Sequence, residues 1–364
     1  MNPSPCRALI LLALIPTLAA AWPGQGGAVR PLKDFLGDPA YPDDLWRASA
    51  PAAEGLDGAR LEAAAVAVVE RKLALHAFLV VRHGKLVFER YGTRDGRQLT
   101  PADDHPLHST TKTFTGTLVG LAIADGTIGS VRTPVLPFFA GDAIGNRSEA
   151  KETMVVEDLL TMRSGLDYRE GADEGLFQAE ACSALAFLGR PVVSPPGLRW
   201  NYSSGDSQIL AEVLRRATGR TPLAFAQARL FEPLGITQVR WQADEGGTQH
   251  GGRGLSLRPR DLARFGQLLL QRGSWNGVQL VPAAWLDAAM KPHADTPWEG
   301  GRYAYQGWVP RLGGFATRGY EGQDMYVFPD LDLVVVFNAA LPYQRADATL
   351  DGLVQEFVLP AVRG

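Results

Sequence analysis

His108-Ser109-Thr110-Thr111-Lys112-Thr113-Phe114-Thr115-Gly116 leads into an apolar run, residues 118–123, that reads as a helix. Ser109 and Lys112 stand three residues apart, and positions i and i+3 share one face of a helix. A serine hydroxyl is a poor nucleophile until a nearby base takes its proton. Lysine becomes that base only when burial or a neighbouring cation lowers its pKa toward neutrality. The pair therefore offers a nucleophile and its base within one turn. The bare spacing is not specific, because Ser148-Glu149-Ala150-Lys151 repeats it.

The flanking sequence separates the two copies. Asp57 can cap a helix whose apolar face carries Leu61, Ala64, Ala65, Val68 and Val69. Two β-rich runs, 77–81 and 85–91, follow on either side of His83-Gly84, a hairpin pattern. An irregular segment rich in Pro and Asp then delivers the chain to Ser109, so that serine starts a helix after a sheet and a loop. Ser148 lies in the polar run 145–152 with no apolar face beside it. Ser109 is the better nucleophile.

Its helix should stop near Asp125-Gly126. From there to about Trp241 the signals are mainly helical, and a later helix over 260–271 carries Leu262, Phe265, Leu268 and Leu269 on one side. Strand-like runs at 307–312, 324–328 and 331–337 precede a last amphipathic helix with Leu350, Leu353, Val354 and Phe357. The predicted fold class is α/β in the α+β sense: an antiparallel sheet flanked by helices, with an inserted, mainly helical region. The sheet part would comprise about 55–108 and 300–364, the helical part about 109–299, and Ser109 would lie in the cleft between them.

Composition is that of a globular protein with a sizeable core: 364 residues, 46% hydrophobic and 21% charged, with a formal charge of −3. That charge gives no basic stripe for nucleic acid. Residues 1–21 read as a signal peptide, with Arg7, an apolar run over 8–18 interrupted by Pro16, and Ala19-Ala20-Ala21 at the cut. The run is too short to span a bilayer comfortably. The chain is thus expected to be exported, periplasmic or secreted, with no stable membrane span after cleavage. Residues 22–54 form an irregular lead-in. Cys6 would leave with the signal, and Cys182 would remain as a small buried hydrophobe inside a helix.

Acyl transfer at Ser109 needs a proton shuttle to the leaving atom and donors for the oxyanion. Tyr202 sits on a loop between the breaker cluster Pro195-Pro196-Gly197 and the apolar helix pattern at 208–214. Near a lysine ammonium its phenol would be acidified enough to pass a proton. A half-buried aromatic that uses its hydroxyl to hold the loop is an equally good local reading. The segment Gly319-Tyr320-Glu321-Gly322-Gln323 precedes a strong strand, and its glycines would let a substrate approach backbone N–H groups. A plain β-turn fits that segment as well. No serine has the Gly-x-Ser-x-Gly frame, the six histidines show no paired metal spacing, and there is no phosphate loop or dinucleotide fingerprint. Neither a metal nor a cofactor is called for.

Taken in order, Ser109-Thr-Thr-Lys112, Tyr202-Ser203-Ser204 and Gly319-Tyr-Glu-Gly322-Gln323 resemble the serine β-lactamase and penicillin-recognising superfamily. The branch most similar holds class C β-lactamases, family VIII esterases and 6-aminohexanoate-dimer hydrolases. Framework phrases at 156–166, 231–235, 260–266 and 329–334 share the resemblance, which covers about Gly55 to the C-terminus. It implies the β-lactamase/transpeptidase-like fold, with Ser109 acylated, Lys112 its base, and Tyr202 the shuttle. Ser204 would bind substrate or Lys112, and the N–H groups of Ser109 and Gln323 would form the oxyanion hole beside Gly322.

One departure bears on substrate. Relatives that act on β-lactams or D,D-peptides usually carry Lys/His-Ser/Thr-Gly on the strand beside the serine, and the aligned triplet here is Tyr320-Glu321-Gly322. An acidic side chain there would repel a substrate carboxylate. Ser203-Ser204 also replaces the commoner Ser-Asn ending. The expected function is an exported serine hydrolase of small esters or amides. A β-lactamase or cell-wall D,D-peptidase is the alternative within the superfamily, and a non-catalytic binding protein the alternative outside it. Loop-like composition places the cleft walls at 168–177, 242–254 and 298–305.

Overall fold

Strand β1 (Leu75–Arg82) is buried along its whole length, because both of its faces are covered. It turns into β2 (Lys85–Tyr91) through His83 and Gly84, with φ of 51° and 70°. Positive φ at both central residues is what a tight hairpin turn requires. His83 Nδ1 lies 3.0 Å from Glu54 Oε2, so the ring anchors the turn.

The computed structural model describes residues 46–177, 182–298, 301–342 and 345–363; the expected leader, residues 22–45 of the lead-in and Cys6 lie outside them. Five more strands join the hairpin: β3 (Arg302–Tyr303), β4 (Trp308–Val309), β5 (Phe315–Thr317), β6 (Asp324–Phe328) and β7 (Leu333–Ala339). The resulting seven-stranded antiparallel sheet runs β3-β4-β5-β6-β7-β1-β2. β1 pairs with β7 in a register that sets Phe78 opposite Phe337 and Val80 opposite Val335.

Side chains alternate across a strand, so each central strand serves two cores. Leu79, Val81, Val334, Val336 and Met325 face the helical side of the molecule. Phe78, Val80, Val335, Phe337 and Tyr326 face the other side. That second face is covered by α1 (Gly58–Glu70) and α5 (Ala346–Leu353), the chain continuing beyond α5 as a wider helical turn over Val354–Val358. Asp57 caps α1 as its sequence suggests, accepting from the N–H groups of Ala59 and Arg60.

On the helical side lie α2 (Thr111–Ala124), α3 (Ser204–Thr218) and α4 (Pro259–Leu270). Phe114 of α2 stacks on Phe265 of α4 with ring centroids 3.9 Å apart, and both rings are fully buried. Burying one such ring contributes on the order of 1.5–3 kcal/mol. Gly266 lets α4 approach the sheet, since a Cβ there would stand 2.6 Å from Val334 Cγ1. The helix carrying Lys112 therefore packs on α3 and, through this ring stack, on α4, which itself lies against the sheet.

One sequence expectation needs correction. Cys182 precedes the helix Ser183–Leu188 as its N-cap rather than sitting inside a helix. It is buried, as a small hydrophobe would be. Among the described residues no helix is long and apolar enough to cross a membrane.

Candidate active site

Ser109 does not begin α2 itself. It sits in a short 3-10 turn, His108–Thr110, just before the helix. His108 enters that turn at a φ of 47°, a left-handed conformation that a non-glycine residue adopts only when its surroundings impose it. The imposition is visible on both sides. Leu107 N–H bonds Leu255 O at 2.8 Å, and the Thr110 hydroxyl donates to Gln323 O at 2.6 Å. The serine is thus presented at a sharp bend whose flanks are tied down.

Lys112, one turn into the fold from Ser109, is buried. Its Nζ donates to Ser109 Oγ at 3.0 Å, to Ser204 Oγ at 2.9 Å and to Gly252 O at 3.1 Å. Those three acceptors match the three donors of an ammonium. Burial lowers the lysine pKa to about 8, against the smaller, opposite pull of the Glu170 carboxylate. Gly252 lies against the amine, since a Cβ there would stand 3.2 Å from Nζ. The other Ser-x-x-Lys copy behaves differently. Ser148 caps the short helix Glu149–Glu152, and Lys151 Nζ bonds Gly145 O and Arg190 O instead of the serine.

Tyr202 stands on the loop before α3, with Ser203 as the helix cap accepting from Asp206 N–H. The Lys112 Nζ lies 4.8 Å from the centre of the Tyr202 ring. That ring belongs to an aromatic wall: its centroid is 5.1 Å from that of Trp298, 6.0 Å from Trp308 and 6.2 Å from Tyr303. Ser204 opens α3 and is buried, its hydroxyl between Lys112 and Glu170.

The segment at Gly319 forms the turn between β5 and β6, not the strand beside the serine. Glu321 and Gly322 have φ of 65° and 92°, which excludes them from a strand, and Gly322 N–H closes on Gly319 O at 3.0 Å. The strand flanking Ser109 is β5, where Thr317 Oγ1 lies 3.0 Å from Thr110 Oγ1. Gly319 packs against the backbone that leads to the serine, since a Cβ there would stand 2.4 Å from Leu107 O. Arg318 between them is buried with its guanidinium on Asp351, at 2.9 and 3.0 Å, and Asp324. Gln323 N–H donates to Gly319 O at 3.2 Å, and its side-chain amide is held by Ala339 O and Asn338.

Two partners of the site were not singled out from the sequence. One is the Gly252 carbonyl on Lys112. The other is Glu170, whose carboxylate accepts from Ser204 N–H at 2.9 Å and from Ser204 Oγ at 2.6 Å. Both fall inside the loop-like segments expected to wall the cleft, which was the only available signal. Beside them Arg253 pairs with Glu174 and lies over Phe177, 3.9 Å from the ring centre. Among the described residues no cluster of three or more His, Cys, Asp or Glu side chains is placed to hold a metal.

A sequence model described as Beta-lactamase matches residues 59–358. The chain belongs to the beta-lactamase family. Over 295 residues it is 26% identical to the 6-aminohexanoate-dimer hydrolase of Paenarthrobacter ureafaciens, covering 73% of this chain and 72% of that one. It is 29% identical over 242 residues to esterase EstB of Burkholderia gladioli, covering 58% of this chain and 60% of the esterase. It thus spans less than two thirds of that relative. Among solved structures, a penicillin-binding protein homologue from Caulobacter crescentus superposes with a TM-score of 0.64 at 16% identity, covering 78% of this chain and 91% of that one. That likeness speaks for the β-lactamase/transpeptidase-like fold. This member of the family is a β-lactamase-like serine hydrolase, and its relatives by sequence act as amide or ester hydrolases.

Proposed function

We propose that the chain cleaves small esters or amides through an acyl-enzyme on Ser109, with Lys112 as base and Tyr202 as proton shuttle. The observation that carries this reading is the set of partners around Nζ. A neutral amine has two N–H groups and one electron pair. Gly252 O and Ser204 Oγ are acceptors that take the two N–H groups, which leaves the electron pair directed at the Ser109 hydroxyl. The Ser109 proton moves to Nζ as Oγ bonds to the substrate carbonyl carbon. The carbonyl oxygen takes up the negative charge and is met by the N–H groups of Ser109 and Gln323, the latter exchanging its bond to Gly319 O for the oxyanion. The Tyr202 phenol relays a proton from Nζ to the departing alcohol or amine. Water then repeats the sequence to free the acid.

Charge around the cleft favours neutral or amine-bearing substrates over carboxylates. No lysine or histidine stands at Thr317-Arg318-Gly319, and Arg318 turns to Asp351 and Asp324. Glu170, Glu174 and Glu321 act electrostatically on Lys112 or His108, against the opposite pull of Arg253. For that reason a β-lactamase or D,D-peptidase ranks second. Export follows from the leader-like residues 1–21, and a mature protein beginning near Trp22 would be its signature.

A fluorophosphonate probe, run beside p-nitrophenyl esters, short amide oligomers and nitrocefin, tests the assignment. The wild type should label and turn over esters or amides, and Ser109→Ala should do neither. Equal labelling of both proteins would overturn it.

A further inference from the structure

Glu170 lies on the loop after the Val156–Leu160 helix, exposed, whereas Lys112 is buried, and a single hydroxyl links them. That hydroxyl has one hydrogen. Because the Ser204 hydroxyl donates it to Glu170 Oε1 at 2.6 Å, Ser204 can act toward Lys112 only as an acceptor, at 2.9 Å. The second carboxylate oxygen takes Ser204 N–H at 2.9 Å, so both polar groups of the serine are held by one side chain.

The direction of this chain matters to a neutral lysine. An unconstrained Ser204 hydroxyl would rotate and donate to the amine's electron pair, since an O–H donor bonds an amine nitrogen readily. The pair would then be occupied by Ser204 and turned away from Ser109. We propose that Glu170 is a positioning residue for acyl transfer, fixing the Ser204 hydroxyl as an acceptor so that the Lys112 electron pair is kept for Ser109. Gly252 O does the same for the remaining N–H, but as a carbonyl it needs no partner to be an acceptor. No proton is transferred to Glu170 in this scheme. The proposal rests on Lys112 being the base for Ser109.

Other charged and titratable groups surround the pair. Glu174 and Arg253 act on Lys112 from neighbouring loops with opposite sign, and Tyr168, Tyr202, Tyr303 and Asp206 lie on the surrounding loops, strand and helix. The Glu170 carboxylate favours the charged lysine, so its removal should also move the acid limb of kcat/KM to lower pH.

The test is a double-mutant cycle read as pH profiles of ester kcat/KM. Glu170→Leu, which leaves the Ser204 hydroxyl no acceptor on this side chain, should lower the high-pH plateau by on the order of tenfold, within the range of couplings in one hydrogen-bond network. It should also shift the acid limb below that of the wild type. In a Ser204→Ala background there is no hydroxyl to misdirect, so Glu170→Leu should cost little of the plateau. Near-UV circular dichroism and thermal melts confirm that each variant is folded. An equal plateau loss in both backgrounds would overturn the proposal, as would an unchanged profile in Glu170→Leu. Failure of the underlying reading shows separately, as undiminished labelling of Ser109→Ala.

Discussion

Lys112 makes opposite demands on activity and stability, and pH separates them. Its pKa falls from 10.5 to about 8, chiefly through burial. At pH 7 about a tenth of the molecules then carry the neutral amine, and at pH 9 about nine tenths do. Acylation of Ser109 should therefore rise about tenfold between those values, with unit slope below pH 8. The same displacement strains the fold. Below pH 8 the folded chain buries an ammonium that the unfolded chain hydrates. Between pH 8 and 10.5 the unfolded state binds the extra proton, so stability rises with pH across that window. At 1.36 kcal/mol per pKa unit the gain approaches about 3 kcal/mol. The assays are burst-phase kinetics with a p-nitrophenyl ester, corrected for spontaneous hydrolysis, and urea denaturation at pH 7.5 and 10. Lys112→Met is the reference for the second, because it lacks the titrating group. An acylation rate flat from pH 6 to 9, or a midpoint near 10.5, would refute the neutral-lysine base. A wild-type stability that tracks Lys112→Met across the window would refute the buried ammonium.

Three further outcomes are expected. Tyr202→Phe should lower ester turnover by on the order of 10²-fold, as loss of an acid–base group does, with the fold unchanged by circular dichroism; full activity would remove Tyr202 from the proposed machinery. Gly252→Ala sets a Cβ 3.2 Å from Nζ and should fold yet acylate slowly, whereas Gly251→Ala sets one 1.9 Å from Ser207 O and should lower Tm sharply; a thermal melt beside probe labelling distinguishes them. Asp206, fully buried, has its pKa raised from 3.8 to about 7 by desolvation, so the native state holds a proton that the unfolded state releases. Wild-type stability should fall as pH rises from 4 to 7, by up to about 4 kcal/mol from this group, and Asp206→Asn should lack that fall in denaturant titrations.

Local chemistry made part of this molecule readable from its sequence. The Asp57 cap and the turn at His83-Gly84 are set by side chains and φ preferences within a few residues. Ser109 could be preferred to Ser148 because an apolar helix follows one and a polar run surrounds the other, and Lys151 indeed bonds backbone carbonyls away from its serine. What resisted reading is what the tertiary fold supplies. β3 and β5 span two and three residues, too few for alternation to register, and they exist as strands because neighbours pair with them, while the run expected at 307–312 shortens to β4. The misplacement of the Tyr320-Glu321-Gly322 triplet came from the same source, since a turn between a three-residue strand and the next looks like an extension of the latter. The partners of Lys112 lie 92 and 140 positions away in sequence, and Glu170 touches the lysine only through Ser204. No spacing rule connects such residues.

The pairing of β1 with β7 also dictates when this protein can come into being. Residues 75–82 leave the ribosome first, while their partner at 333–339 is made about 250 residues later. At roughly 5–20 residues per second, that interval lasts on the order of ten to fifty seconds. Throughout it a strand that is apolar from Ala77 to Val81 has one edge unmatched, an invitation to pair with another chain. Ser109 and Lys112 are translated early, but the turn that grips Thr110 through Gln323 arrives with the final tenth or so of the polypeptide. Nascent chains are therefore aggregation-prone and inert together, and both conditions end at the same late closure of the sheet.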